Sequence, residues 1–474
     1  MWATDDTQGA GWAQVERNGT RVGGRCGARS TRGKSAVAPL HGVAILGHPL
    51  WGCTNLPILE AMVFERVPAE SEARSWCWVV AWSLGLFVVV PLARSIESLV
   101  HAHLGRTAFG WVVVASAALA LILVVRGRRR ARLARPGESR GSAWWLLGIT
   151  GVGAATIAGL WTNPEEAMHL VLYGILSLWL HRALAHRLRD SSIYLVAVLG
   201  CLFVGTLEEV FQWFVPNRYF GFRDVALDGF GAALVQIGLA RGVVPPYIEP
   251  RFTRDGLRAL YRVSLLVWSL LFLCVLNTPR RVDAYATRVA GLAFLSTNPS
   301  VMMEYGERYE VEGIGVFRSR LTLETLEERD RERGPAVGRA VATDDGSYAQ
   351  YLERHPVQRD PYAHEFRVHL FSRDHHVRAL RESPEGGGRS RRMLVAVRED
   401  RILRRYFPEA YRAAGAALDP SFRREIEGHV AETASYDSNV SGGLVTRVKE
   451  WQLVLAFLAG FVAIFVGGRR LRGE

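Results

Sequence analysis

The distribution of apolar residues limits what this chain can fold into more than any other feature. They fall into blocks of about twenty separated by short charged stretches, and a bilayer core takes about 20 apolar residues per helix. The blocks lie at 76–95, 108–125, 143–161, 166–184, 192–213, 226–244, 259–277 and 451–468. The block at 226–244 is the weakest: it is Gly-rich and carries Arg241, whose side chain would have to snorkel to the lipid headgroups. The hydrophobic share of 49% could also belong to a soluble chain, so the pattern and not the total decides. It predicts an all-α polytopic membrane helix bundle of about eight spans, with the lipid bilayer as the first partner.

The net charge of +12 would suit nucleic-acid binding, but arginines beside membrane spans explain it more simply, and no nucleic-acid partner is expected. The run Arg126, Arg128, Arg129, Arg130, Arg132 and Arg135 makes its loop cytoplasmic by the positive-inside rule. Alternation then puts 162–165 and 214–225 outside. The segments 185–191 and 245–258 fall inside, as does the tail with Arg469, Arg470 and Arg472. Residues 278–450 fall outside. The expected location is the inner (plasma) membrane, multi-pass, with 278–450 extracytoplasmic. None of the cysteines, Cys26, Cys53, Cys77, Cys201 and Cys274, lies in that segment, so no disulfide framework is expected there.

This divides the chain into four parts. Residues 1–75 are Gly-, Arg- and Ala-rich without helical period and read as disordered or as an over-extended start, with Met62 a plausible beginning. Residues 76–277 form the bundle. Residues 278–450 form a smaller α+β domain, with strand-like alternation at 365–371, a second apolar run at Met393–Val397, and charged helical stretches near 322–333 and 420–434. Residues 451–474 are a last span and a basic tail. The glycines at 386–388 read as a loop and lack the GK[ST] ending of a phosphate cradle. His364, His369, His375 and His376 lack a metal-ligand spacing and read as solvated or loop histidines. Trp144, Trp145, Trp161, Trp213 and Trp451 sit near span ends as interfacial anchors.

Ionisable residues within spans are costly and mark function by default. Glu165, His169 and Tyr173 are spaced by four and share a helix face, with Glu166 beside them. Glu208, Glu209 and Gln212 lie near the outer end of the fifth block. Pro216, Asn217 and Arg218 follow, then Asp224, Asp228 and Gly231 at spacings of four and three. All map to the outer face.

In these residues the sequence resembles the VanZ-like family: a His with Tyr four residues on, an acidic pair with Gln three residues on, a short Pro-containing loop with Arg, then Asp, Asn and Gly. The match runs through His169, Tyr173, Glu208, Glu209, Gln212, Pro216, Arg218, Asp224 and Gly231, and is best over 160–240. Glu166 stands where the family usually has Lys, and Asp228 where it has Asn, so this cluster is more acidic. The resemblance implies a bacterial cell-envelope membrane protein with a binding or accessory role linked to glycopeptide (teicoplanin) antibiotic resistance.

The residues themselves support two chemistries. As a binding site, Arg218, Tyr173 and Gln212 would hold an envelope lipid or glycopeptide ligand, with Arg218 clamping a phosphate or carboxylate. The alternative is a membrane enzyme with an outward-facing metal or acid–base site acting on a lipid-linked or peptidoglycan-related substrate. Glu209, Asp224 or His169 would then be catalytic, and His169, Glu208, Asp224 and Asp228 would ligate a divalent metal as cofactor. A purely structural network would instead staple three helices by pairing His169 with Glu209 and Arg218 with Asp224.

Overall fold

The computed structural model describes residues 70–105, 107–134, 142–161, 163–215, 218–298, 300–344, 347–382 and 388–470. The expected disorder of 1–75 (apart from its last few residues), the loop residues Pro216 and Asn217, Arg135, Gly386 and Gly387, and the tail from 471 onward lie outside them.

Every apolar block is helical. The helices are α1 (Glu72–Leu104), α2 (Ala108–Ala134), α3 (Ala143–Gly159), α4 (Pro164–Leu184), α5 (Ser192–Phe214), α6 (Phe222–Ile237) and α7 (Arg254–Leu276). A π-helical turn, Gly238–Val243, extends α6 and carries Arg241. Five helices among the described residues are long and apolar enough to cross a membrane: α1, α4, α5, α7 and the final helix, Glu450–Arg469. Helix α3 and the apolar part of α2 are shorter.

Local chemistry sets several boundaries. Ser71 caps α1 by accepting from the Arg74 N–H at 3.3 Å, and Thr253 caps α7 through the Gly256 N–H at 3.1 Å. Helix α4 opens with Pro164, Glu165 and Glu166 and closes with His181 and Arg182. That order complements the helix dipole at both ends. Between α4 and α5, Asp190 accepts from the N–H groups of Ser192 at 2.8 Å and Thr253 at 2.9 Å, tying the α4–α5 connection to the start of α7.

Helices α4 and α5 form the middle of the bundle, where Tyr173, Leu176, Ile193, Ala197 and Cys201 are fully buried. The surrounding helices turn large apolar side chains outward: Leu84, Val88, Leu147, Leu273 and Val462 are all more than half exposed. An apolar surface of that extent suits helices able to cross a membrane. Trp144, Trp145, Trp161 and Trp451 belong to this exposed surface. Trp213 does not: it is 2% exposed and donates to the Ser300 carbonyl at 2.9 Å, so it is a core residue joining α5 to the following domain.

Residues 279–449 are mainly helical. Helix α8 (Pro279–Ala286) leads through a 3-10 turn (Ala290–Thr297) to an antiparallel hairpin, β1 (Glu307–Val311) and β2 (Gly315–Ser319), with Tyr309 opposite Phe317. Then come α9 (Leu323–Thr343), α10 (Tyr348–Arg354), α11 (Pro361–Glu382), α12 (Arg389–Tyr406), α13 (Pro408–Ala413) and α14 (Pro420–Gly428). The strands expected at 365–371 and 393–397 are therefore helices α11 and α12. Their true period shows in burial: Tyr362, Phe366, His369, Arg373, Val377 and Leu380 on α11, and Met393, Ala396, Val397, Asp400 and Leu403 on α12. The strands lie instead at the start of the domain. The chain returns beside its entry point, where Tyr305 and Val445 bridge, and continues into α15 (Glu450–Arg470). Helix α15 packs on α7 through the Trp268 indole, which donates to the Phe457 carbonyl at 2.9 Å.

Of the α11 histidines, His364 and His369 are buried, not solvated, whereas His375 and His376 are half-buried. His369 bonds Glu399 at 2.6 Å, and Glu399 accepts in addition from Ser438 at 2.6 Å and from Tyr436. Burial opposes the Glu399 charge, but His369 and these hydrogen bonds outweigh it and hold the carboxyl below its usual range. Burial and the nearby Arg320 push His364 down to about 3, so it is neutral at pH 7.

Candidate functional site

The site is assembled where α4, α5 and α6 meet at the end of the bundle that faces residues 279–300. Helical spacing puts His169 and Tyr173 on the face of α4 that meets the other two helices. His169 Nδ1 lies 2.8 Å from Asp228 Oδ1 on α6, and the Tyr173 hydroxyl donates to Glu208 Oε2 on α5 at 2.5 Å. Gln212, one turn beyond Glu208, donates to Glu209 Oε1 at 2.6 Å. The other Glu209 oxygen accepts from the Gly221 N–H at 2.8 Å. Arg218 completes the chain by donating to Gln212 Oε1 at 2.5 Å. Glu209 and Asp228 are fully buried, and Glu208 and Gln212 nearly so.

Two glycines permit this packing. A Cβ at Gly205 would come 2.3 Å from Asp228 Oδ2, so only glycine lets that carboxylate seat against α5. A Cβ at Gly231 would meet the Leu170 backbone at 2.8 Å, so α4 and α6 touch main chain to main chain there.

The expected pairings are corrected by these distances. His169 is paired with Asp228, not Glu209. Arg218 is paired with Gln212, not Asp224. Asp224 sits beside Gly221 on the Glu209 side, since a Cβ on that glycine would lie 2.8 Å from Asp224 Oδ2 and 3.6 Å from Glu209 Oε2. Glu165 leaves the cluster to face α1, where its carboxylate is 3.0 Å from His101 Nε2, and Glu166 pairs with Arg223 at 2.9 Å.

Among the described residues, ligand-type atoms gather within 4.8 Å of one another at Glu97, His101 and Glu165, not at the expected set of His169, Glu208, Asp224 and Asp228. There the imidazole lies between two carboxylates, Nε2 toward Glu165 and Nδ1 4.0 Å from Glu97. Opposite ring nitrogens facing two acids make a polar bridge between α1 and α4.

Arg218 is the cationic member, and it has bonding capacity left over. Its Nε is buried without a hydrogen-bond partner, and its guanidinium bonds a neutral amide instead of a carboxylate. Burial lowers its pKa; nearby Glu209 opposes that, and the like charge of Arg94 on α1 adds to the lowering. Arg218 thus keeps one buried donor, Nε, unspent.

The sequence reading missed the lower half of the α4 stripe. Ser177 and His181 continue the fourfold spacing of Glu165, His169 and Tyr173. Both are buried, and both meet Gln236 on α6: its amide donates to Ser177 Oγ at 2.7 Å, and its oxygen is 3.1 Å from His181 Nδ1. The spacing alone carried that signal.

The chain matches no family model, no curated protein and no solved structure.

Proposed function

We propose that the chain is a multi-pass protein of the bacterial inner membrane, similar to the VanZ-like family. Its eight helical blocks span the bilayer and residues 278–450 lie outside, so the α4–α5–α6 cluster opens at the outer leaflet. In that position it binds the anionic group of an envelope ligand. One observation carries the binding reading: Arg218 keeps its buried Nε unpartnered, while the nearest carboxylates of α5, Glu208 and Glu209, are engaged by protein donors. A phosphate or carboxylate would take the charge-assisted bonds that Gln212 does not use. The family's link to teicoplanin tolerance is the cellular effect proposed for that binding.

The enzymatic alternative rests on the His169–Asp228 pair. Glu209 has both oxygens engaged, whereas Asp228 keeps one buried oxygen, Oδ2, without a partner. Asp228 would orient the imidazole and His169 would move the proton. In this version His169 is catalytic and Glu209 is structural.

The test is the tolerance of a sensitive host to teicoplanin and vancomycin, with expression of wild type or of a variant carrying Glu209→Gln, Arg218→Ala and Asp224→Asn, at equal membrane levels. The proposal expects wild type to raise tolerance and the variant not to. Stable insertion of both with no change in tolerance would remove the resistance link.

A further inference from the structure

The polar stripe on α4 does not stop at the outer cluster. Glu165, His169, Tyr173, Ser177 and His181 occupy successive i, i+4 positions along the whole helix. Sixteen residues at 1.5 Å each make the stripe about 24 Å long, most of the roughly 30 Å hydrocarbon thickness. Each member meets a polar partner on another helix. His101 faces Glu165 from α1, Asp228 faces His169 from α6, Glu208 faces Tyr173 from α5, and Gln236 faces both Ser177 and His181 from α6. Asp224, Asp228 and Gln236 are themselves spaced by four and eight residues, so α6 carries a matching stripe.

A structural network would close on itself, and this one leaves two buried atoms open. Asp228 Oδ2 and His181 Nε2 have no hydrogen-bond partner, on residues 0% and 3% exposed. His181 is met by Gln236 from α6 and by the ring of Tyr194 from α5, stacked 5.5 Å away, with no carboxylate or cation among these contacts. It lies in the last turn of α4, next to Arg182, which pairs with Glu70 at 2.5 Å; beyond the helix, His186 bonds Ser75 at 3.1 Å. A chain of imidazole, carboxyl, phenol and hydroxyl groups buried across a bundle, with unspent lone pairs along it, has the composition of a proton relay.

We infer that the α4 stripe is a proton pathway joining the outer cluster to the inner end of the bundle. The inference rests on the multi-pass reading above. Protons pass from the His101–Glu165 mouth to His169 and Asp228, then to Tyr173 and Glu208, then to Ser177 and His181. Successive turns are about 6 Å apart along the helix, so transfer between them needs side-chain rotation or the entry of a water into the gap. Only N–H and O–H bonds form and break, and the proton that leaves one group arrives at the next. Gln236 is a positioning residue: it holds the Ser177 hydroxyl and the His181 ring in line.

The full-length protein in lipid vesicles tests this. A valinomycin-set potassium potential drives the flux, an entrapped pH dye reads it, and flotation confirms insertion. Wild type should acidify the lumen well above protein-free vesicles, and His181→Phe should remove most of that excess, because a phenyl ring can neither take up nor pass a proton. Ser177→Ala, a smaller change, serves if the phenylalanine variant fails to insert, and it too should lower the rate. Wild-type flux equal to that of empty vesicles overturns the inference, as does full flux through an inserted His181→Phe or Ser177→Ala protein. A polyprenyl pyrophosphate binding measurement on the same vesicles separates the two readings. Binding without flux sinks the relay alone, and failure of wild type to float with lipid sinks the multi-pass reading beneath it.

Discussion

Gly231→Ala would pry α4 from α6 and open the site without touching any polar residue. The added Cβ would sit 2.8 Å from the Leu170 Cα and carbonyl oxygen, both main-chain atoms that cannot swing aside. An ordinary carbon contact is about 3.5–4.0 Å, so the helices must part locally by roughly 0.7–1.2 Å. The His169–Asp228 contact, 2.8 Å in the wild type, lies one turn away on the same helix pair. Parting of that size carries it toward about 3.5 Å, the limit of a hydrogen bond. The Ser177 bond to the Ala232 carbonyl starts at 3.3 Å and has less margin. Overpacking costs about 1–3 kcal/mol, and the weakened charge-assisted bond adds about 1.5–3 kcal/mol where it is lost outright. A total of roughly 2.5–6 kcal/mol lowers Tm by about 5–24 °C for a bundle of this size. Thermal unfolding in detergent, followed by circular dichroism, reads it. The control is Gly153→Ala on α3, whose Cβ would find only Leu234 at 3.8 Å. It should melt at or above wild type, because alanine favours helix over glycine by about 1 kcal/mol. Equal melting of the two variants would refute the close-approach argument.

Further outcomes follow from the domain and the connections. Asp190→Ala leaves the Ser192 and Thr253 N–H groups without their acceptor and should cost about 1–3 kcal/mol, read as a fall in Tm. Burial raises the Asp190 pKa, but the hydrogen bonds from Ser192 and Thr253 outweigh it and leave a net lowering. Its contribution is therefore complete above the unfolded-state pKa and fades as pH falls through the lower folded value. The Asp190→Ala deficit should shrink in acid, and a deficit that grows in acid would contradict the assignment. Glu399→Ala strands the donors of His369, Ser438 and Tyr436 and should cost about 3–5 kcal/mol. Its lowered pKa gives the same acid dependence. Protease sensitivity of residues 279–449 in the variant, compared at pH 7 and pH 4, checks both parts.

The helices were legible because a long apolar block is a strong pattern: each block became helical, although the first two helices run nine residues past their blocks, to Leu104 and Ala134. The faces of the cluster were legible for a similar reason, since i, i+4 spacing survives any arrangement of helices. Partners across helices were not. His169 had acidic candidates on both α5 and α6, and its choice of Asp228 depends on Gly205 and Gly231, which set how closely those helices approach. The α11 segment misled because Phe366, Val368 and Leu370 alternate over too few residues to separate a period of two from a period of 3.6. Reading on to Arg373, Val377 and Leu380 would have decided it. Trp213 misled because position at a span end does not reveal a domain docked upon it.

The central claim, an anion site at Arg218 beside the cluster, is tested most directly by titrating the purified protein in micelles with a polyprenyl pyrophosphate and, in parallel, with the uncharged polyprenol. The account predicts that the pyrophosphate binds wild type at least about tenfold more tightly than the alcohol, and that Arg218→Gln removes the difference, as loss of a charge-assisted contact of about 1.5–3 kcal/mol requires. Equal binding of the two lipids to wild type, or a preference that survives Arg218→Gln in a folded protein, would contradict it.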